Sequence, residues 1–172
     1  MHPLSATIVV LATILAMEGV AWASHRYVMH GFGWAWHRDH HEPHDKLLER
    51  NDLFALVGAV MSIAMFALGS PLVMDDRAWE PGTWIGLGIL GYGVIYTLIH
   101  DGLVHQRYFR WVPRKGYARR LVQAHRLHHA TLSKEGGVSF GFVLARDPAA
   151  LKRELKAQRE QGVAVLREAI ED

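Results

Sequence analysis

Histidine is the residue through which this 172-residue chain could do chemistry, because ten of its twelve histidines fall into four short clusters. In chain order the clusters have the spacings H-x4-H, H-x2-H-H, H-x4-H and H-x2-H-H. Their members are His25, His30, His37, His40, His41, His100, His105, His125, His128 and His129. Neutral imidazoles are common ligands of first-row transition metals. Ten such donors are too many for one ion and about right for two, so the sequence predicts a dinuclear metal centre.

The two spacings predict different geometries on a helix. Residues at i, i+3 and i+4 share a helix face, so we expect His37, His40 and His41 to converge, and the cluster at 125–129 likewise. Five residues rotate the second histidine of H-x4-H by roughly 140° on an ideal helix. Such a pair either lies on a fraying helix end or serves two different ions, and we favour the second reading, with one dinuclear centre shared by both halves of the chain.

The composition limits what kind of protein this is. Cysteine is absent, which excludes disulfides, iron–sulfur clusters and thiolate ligands. Half of the residues are apolar, yet the mean hydropathy is only +0.03, so apolar blocks must alternate with polar ones. The length suits one main domain. We assign residues 1–146 to a membrane-embedded domain and residues 147–172, which open with Asp147 as N-cap and Pro148, to a charged amphipathic helix.

Three apolar stretches are long enough to be transmembrane helices. They cover Pro3–Ala23, interrupted only by Glu18, and residues 53–74 and 81–99. The apolar stretch at residues 136–145 is too short to span and would form a fourth crossing only with irregular geometry. Alternatively, the three long stretches could be buried helices of a soluble core, but their length and lack of charge fit that reading less well. We therefore predict an all-α integral membrane helical bundle with three spans.

The distribution of Lys and Arg predicts the topology of this bundle. Four basic residues lie between the first two spans, one lies between the second and third, and seven lie between the third span and the last histidine cluster or within that cluster. They are Arg26, Arg38, Lys46 and Arg50; Arg77; and Arg107, Arg110, Arg114, Lys115, Arg119, Arg120 and Arg126. By the positive-inside rule, all ten clustered histidines lie on the cytoplasmic side. This placement explains the pI of about 9.0 better than nucleic-acid binding does, because the net charge is only +2.

The four clusters read HRYVMH at residues 25–30, HRDHH at 37–41, HDGLVH at 100–105 and HRLHH at 125–129. They resemble the bacterial β-carotene 3-hydroxylases, within the fatty acid hydroxylase and sterol desaturase superfamily, over residues 22–130. The resemblance implies a monooxygenase of the bacterial plasma membrane that uses O2 at a non-haem di-iron centre held by the ten histidines. It also implies that ferredoxin donates the electrons and that a ferredoxin reductase reduces the ferredoxin. The expected reaction hydroxylates C3 of β-ionone rings and converts β-carotene through β-cryptoxanthin to zeaxanthin.

Four polar residues outside the ligand set have candidate roles. Asp39 and Asp101 adjoin histidines and could orient imidazole N–H groups, although Asp101 could equally be a charge at a helix end. Glu18 lies inside a span, where an ionisable residue is costly and usually functional. It could contact a histidine or metal, or pair with another span. His44 falls outside the four motifs, and we read it as an outer-sphere or surface residue.

The glycines Gly86, Gly88 and Gly91 spell the dinucleotide-binding pattern G-x-G-x-x-G. They lie inside an apolar span with no preceding strand, so we expect them to permit close helix packing instead.

Other functions share some of these features. A carotenoid ketolase, or a fatty acyl or sterol hydroxylase or desaturase, would use the same histidine core, and HDGLVH favours the carotenoid hydroxylases. Outside the enzymes, a membrane metal transporter could use histidine clusters. Transport sites usually lie near the bilayer midplane, whereas these clusters lie at the ends of the spans.

Overall fold

The computed structural model describes residues 1–42, 48–108 and 110–171, with side chains placed up to residue 162, so His44 and Lys46 lie outside the described residues. The helices are α1 (Pro3–Ala23), α2 (Trp34–His41), α3 (Asp52–Gly69), α4 (Pro71–Met74), α5 (Pro81–Tyr96), α6 (Gly116–His128) and α7 (Pro148–Glu171). Ser24–Phe32 continues α1 as a π-helix, which we call π1, and Thr97–Val104 continues α5 as a second, π2. The predicted all-α class is confirmed.

Three helices are long and apolar enough to cross a membrane. They are Pro3–Phe32, Asp52–Gly69 and Pro81–Val104. Large apolar side chains such as Leu15 and Ile63 point outwards, at 77% and 66% exposed, as lipid-facing residues would. The three predicted spans are therefore confirmed. Within the described ranges no fourth long apolar helix occurs, and residues 136–147 are not helical.

Helix α5 is the central span, because it packs on both α1 and α3. Its glycines make this packing possible. A Cβ on Gly86 would lie 3.0 Å from the Ser62 carbonyl oxygen of α3, and one on Gly88 would lie 2.5 Å from Cβ of Thr13 on α1. The prediction that these glycines permit close helix packing is confirmed.

Replacing Gly88 with alanine is expected to destabilise the protein by about 1–3 kcal/mol, because the added methyl group overlaps Thr13 and forces α1 and α5 apart. Gly93 on the same helix is the matched control, since a Cβ there meets nothing within 4 Å. Thermal unfolding in detergent measures both variants. Equal midpoints for Gly88→Ala and Gly93→Ala would contradict the close contact.

The two ends of the bundle differ in chemistry. The amino group of Met1 contacts the carboxylate of Glu80, and the Trp79 N–H donates to the Leu68 carbonyl at 2.8 Å. The start of α1 and the connection between α3 and α5 therefore lie at one end. The four histidine clusters gather at the other end, as the sequence predicted.

The C-terminal helix begins as predicted and is anchored to α6. The Asp147 carboxylate accepts hydrogen bonds from the N–H groups of Ala149 and Ala150, both at 3.3 Å, which confirms it as a cap. Leu151 is fully buried and packs with Ala124 of α6 in a small apolar core. The first turns of α7 are thus packed rather than solvated. The division of the chain into domains at residue 147 stays a prediction.

Candidate metal centre

The two π-helical segments carry the H-x4-H pairs, and they change the predicted geometry of those pairs. In a π-helix each N–H donates to the carbonyl five residues earlier, so residues i and i+5 lie nearer the same face than they do in an α-helix. The bond from His105 N–H to His100 O, at 2.9 Å, has this form. The imidazole rings of His25 and His30 are consequently 5.2 Å apart between centroids, and those of His100 and His105 are 4.6 Å apart.

The histidine nitrogens gather in two adjacent groups. Within each group, the potential donor atoms all lie within 4.8 Å of one another. The first group contains His25, His30, His37, His41 and His128, and the second contains His40, His105, His125 and His129. This spacing is close to twice a metal–nitrogen bond of about 2.1 Å. Both groups combine histidines from both halves of the chain.

The prediction that the two members of an H-x4-H pair serve different ions is wrong for His25 and His30, which lie in the same group. The physical reason is π1, which replaces the ideal α-helix on which that prediction rested. His100 adjoins the second group, with its ring centroid 4.8 Å from that of His125 and 5.0 Å from that of His40.

Each H-x2-H-H cluster divides between the two groups instead of converging on one point. On α2, His37 and His41 belong to the first group and His40 to the second. On α6 the arrangement is reversed, since His128 joins the first group while its two neighbours join the second. At about 100° per residue, positions i and i+4 point in nearly the same direction, while i+3 lies to their side. The predicted convergence therefore holds only for i and i+4.

The outer nitrogens of these rings are held by hydrogen bonds. Nδ1 of seven histidines lies 2.6–3.0 Å from an oxygen. In four of the seven the oxygen is a backbone carbonyl, contributed by Thr131, Lys134, Val138 and Phe140. A carbonyl oxygen only accepts, so Nδ1 must donate. In a neutral ring the proton is then on Nδ1, and Nε2 carries a lone pair.

These lone pairs point at one another. Nε2 of His25 lies 3.1 Å from Nε2 of His37, and Nε2 of His30 lies 3.2 Å from that of His128. Nε2 of His40 is buried and has no hydrogen-bond partner within the part of the chain that the structure describes. Converging lone pairs repel unless a cation lies between them. The donor set therefore fits a metal site.

The electrostatics keep the imidazoles in the neutral form that binds metal. Burial lowers the pKa of His37 to about 3 and that of His41 to about 4. Burial, together with neighbouring histidines, also places the pKa values of His125 and His128 well below the usual value. Such rings are neutral at physiological pH, and where Nδ1 holds the proton the Nε2 lone pair is available.

Two residues that hold histidine rings in place were missed in the sequence. His37 Nδ1 donates to Asn51 Oδ1 at 2.7 Å, and His40 Nδ1 donates to Glu49 Oε2 at 2.6 Å. Both partners precede α3, where a polar residue is ordinarily read as a helix cap. Their burial would have been the distinguishing signal, and burial is a property of the folded chain.

The two aspartates singled out in the sequence have different surroundings. Asp101 Oδ1 accepts from His100 Nδ1 at 2.7 Å and lies 3.7 Å from the guanidinium of Arg107. Asp39 accepts from the backbone N–H of Arg50 at 2.8 Å. An imidazole-orienting role for Asp39 stays a prediction.

An apolar cavity of about 960 Å³ adjoins the histidines. It lies between α1, α3 and α5, and its lining includes Val20, Ala59 and Ile89. The ring of Phe142, which also lines the cavity, stacks on His25 with 4.8 Å between centroids and 15° between planes. Tyr96 stacks on His100 in the same way, at 4.6 Å and 18°. A single layer of aromatic rings thus contacts both the cavity and the imidazoles.

Comparison with known proteins places the chain in a family. The fatty acid hydroxylase family profile matches residues 10–146. The chain belongs to the fatty acid hydroxylase family. Among its relatives in this family, a β-carotene hydroxylase from Pseudescherichia vulneris is 52% identical over 151 residues, covering 87% of this chain and 82% of that protein. The β-carotene hydroxylase of Paracoccus sp. (strain N81106 / MBIC 01143) is also 52% identical, covering 87% and 90%.

A third member, the β-carotene hydroxylase of Pantoea ananas, is 46% identical over 94% of this chain and 90% of its own length. The resemblance drawn from the histidine motifs is therefore confirmed at the level of the family. No solved structure matches the chain significantly.

Proposed function

We propose that the protein is a β-carotene 3-hydroxylase, which uses O2 to hydroxylate C3 of the β-ionone rings and forms zeaxanthin through β-cryptoxanthin. The observation that carries the proposal is the cluster of inward-facing imidazole nitrogens beside an apolar cavity, whose lining residues Phe142 and Tyr96 stack on two of the histidines. The relatives named above, which are called β-carotene hydroxylases, support the choice of substrate.

The cavity has the properties that a carotenoid ring requires. Its lining is predominantly apolar, and its volume lies at the upper end of the usual range for small-molecule sites, about 300–1,000 Å³. It lies between membrane-spanning helices, so a substrate dissolved in the bilayer could enter from the side. Within it, Phe142 and Tyr96 would pack against the ring and limit the approach of water to the histidines.

The ten histidines would hold two non-haem iron ions, one in each group of nitrogens, with His100 beside the second. Bound iron would supply the O2 chemistry that an unactivated ring C–H bond needs and that no side chain can provide. The chain's own contribution is to orient the rings. In seven of the ten, the acceptor on Nδ1 fixes the proton on the outer nitrogen and directs Nε2 inwards.

The proposal places the histidine end of the bundle on the cytoplasmic face of a bacterial plasma membrane. Exposed basic residues near this end, including Arg114, Lys115 and Arg119, support that orientation. They would also complement an acidic electron donor, for which we propose reduced ferredoxin supplied by its reductase.

Expression in a bacterium that accumulates β-carotene tests the proposal. We expect β-carotene to be replaced by β-cryptoxanthin and zeaxanthin, separated by chromatography and identified by mass. Keto products would point to a ketolase on the same site. If the protein is folded and metal-loaded but β-carotene is unchanged, the assignment of β-carotene as substrate is overturned and a lipid hydroxylase is favoured. An inactive empty-vector strain is the control.

A further inference from the structure

Glu18 is a buried carboxylate inside the first membrane span, and it has four hydrogen-bond donors. Its Oε1 accepts from the backbone N–H groups of Phe142, Val143 and Leu144 at 3.1, 3.0 and 2.9 Å. Its Oε2 accepts from the hydroxyl of Tyr92 on α5 at 2.7 Å. Three successive N–H groups that point at one oxygen form an anion-binding nest. The carboxylate therefore fastens residues 138–144 to α1 and α5.

The same seven-residue segment supplies two of the acceptors that orient the histidines. The carbonyl oxygen of Phe140 accepts from His25 Nδ1 at 2.9 Å, and that of Val138 accepts from His128 Nδ1 at 3.0 Å. The ring of Phe142 stacks on His25 and lines the cavity. The nest thus begins two residues after the carbonyl that holds His25.

The backbone between the two carbonyls is in an unfavourable conformation. Ser139, which separates Val138 from Phe140, has a φ of +62°, in the left-handed region that most residues avoid. Such a conformation persists only where surrounding contacts impose it. The three hydrogen bonds from residues 142–144 to Glu18 are contacts of this kind, and they act at the end of the segment farther from His128.

We propose that Glu18 is a positioning residue for the metal centre. Its carboxylate holds residues 138–144 in the conformation that presents two carbonyl oxygens to His25 and His128, and so directs both Nε2 lone pairs into the first group. The inference rests on the proposed function in treating this group as a metal site. It explains why α1, which is otherwise free of charged side chains, carries a carboxylate, which is costly in hydrocarbon.

Two substitutions test the contact from opposite sides. Glu18→Gln replaces one carboxylate oxygen with an NH2 group and removes the negative charge. Gly141→Ala keeps the carboxylate but adds a Cβ that would lie 3.1 Å from Glu18 Oε1 and 2.9 Å from the Leu144 carbonyl oxygen. We expect each to weaken Fe²⁺ binding by about 10-fold or more, as loss of a ligand's supporting partner does. Chelator competition on the purified full-length protein in detergent measures the affinity.

The double variant adds a second criterion. Because both changes break the same contact, Glu18→Gln with Gly141→Ala should weaken Fe²⁺ binding little more than either change alone. We also expect the visible spectrum of the Co²⁺-loaded protein, which reports the geometry of the ligands, to change in both single variants. If Glu18→Gln does not fold, Gly141→Ala provides the same test.

Gly82→Ala is the matched control for a merely structural role, because a Cβ there would lie 2.8 Å from the Met65 carbonyl oxygen and disturb the packing of α5 on α3. This contact involves neither Glu18 nor residues 138–144. The control variant should lower the unfolding temperature and leave Fe²⁺ affinity and the Co²⁺ spectrum unchanged. Wild-type affinity and spectrum in both Glu18→Gln and Gly141→Ala would overturn the inference. An equal loss of affinity in Gly82→Ala would overturn it as well.

These readouts need no carotenoid, so the two proposals can fail separately. Metal binding that depends on Glu18, in a protein that does not hydroxylate β-carotene, would overturn the proposed function and leave the positioning role standing. If the wild-type protein hydroxylates β-carotene but neither variant changes Fe²⁺ binding, the proposed function stands and the positioning role of Glu18 is overturned.

Discussion

Replacing His128 with alanine is expected to abolish carotenoid hydroxylation, with a loss of at least about 100-fold in product. Its side chain is fully buried, and its Nε2 lies 3.2 Å from that of His30. The substitution removes one of five nitrogens from the first group and leaves the Val138 carbonyl without its imidazole donor. Loss of a residue that only supports a ligand costs 10–100-fold in metal affinity or activity, and loss of a ligand should cost no less.

The measurement is the yield of β-cryptoxanthin and zeaxanthin in β-carotene-accumulating cells, normalised to the amount of folded protein. His2→Ala is the matched control, because His2 is exposed and caps the start of α1 at the opposite end of the bundle. It should retain wild-type yield. A yield from His128→Ala within tenfold of wild type would exclude His128 as a ligand.

Removing the metal is expected to abolish activity and to lower the stability of the protein together. Without a cation, the inward lone pairs of neutral, buried imidazoles repel one another, as at the 3.1 Å separation of the Nε2 atoms of His41 and His37. Binding to the folded state alone stabilises it by about 2.7 kcal/mol per ion at a free metal concentration of 100 Kd. Chelator-treated protein should therefore unfold at a lower temperature.

Reloading separates the structural effect from the chemical one. Fe²⁺ should restore both the unfolding temperature and hydroxylation, whereas Zn²⁺ should restore only the unfolding temperature because it has no redox chemistry. The assay is hydroxylation of β-carotene in detergent with ferredoxin, its reductase and NADPH, alongside thermal unfolding. Full activity after verified removal of all metal, or after loading with Zn²⁺ alone, would contradict an iron-dependent reaction.

The amino-acid sequence by itself determined the kind of protein and the atoms of its candidate site. Hydropathy is a local property, so the existence and order of the three spans could be read directly, although two of them extend farther towards the histidine clusters than predicted. The histidine motifs identified the family, which the match over residues 10–146 confirms. The order of spans and clusters along the chain also placed all ten histidines at one end of the bundle.

Only the tertiary structure decided how those histidines divide into two groups. His25 and His30 meet because π1 has a wider turn than an α-helix, and local propensity gives no sign of that turn. The oxygens that fix the imidazole protons, such as the carbonyl of Phe140, lie up to 115 residues away along the chain. Backbone carbonyls carry no sequence signature. Likewise, Glu18 could be recognised as costly, but its nest exists only once residues 142–144 fold back onto the first span.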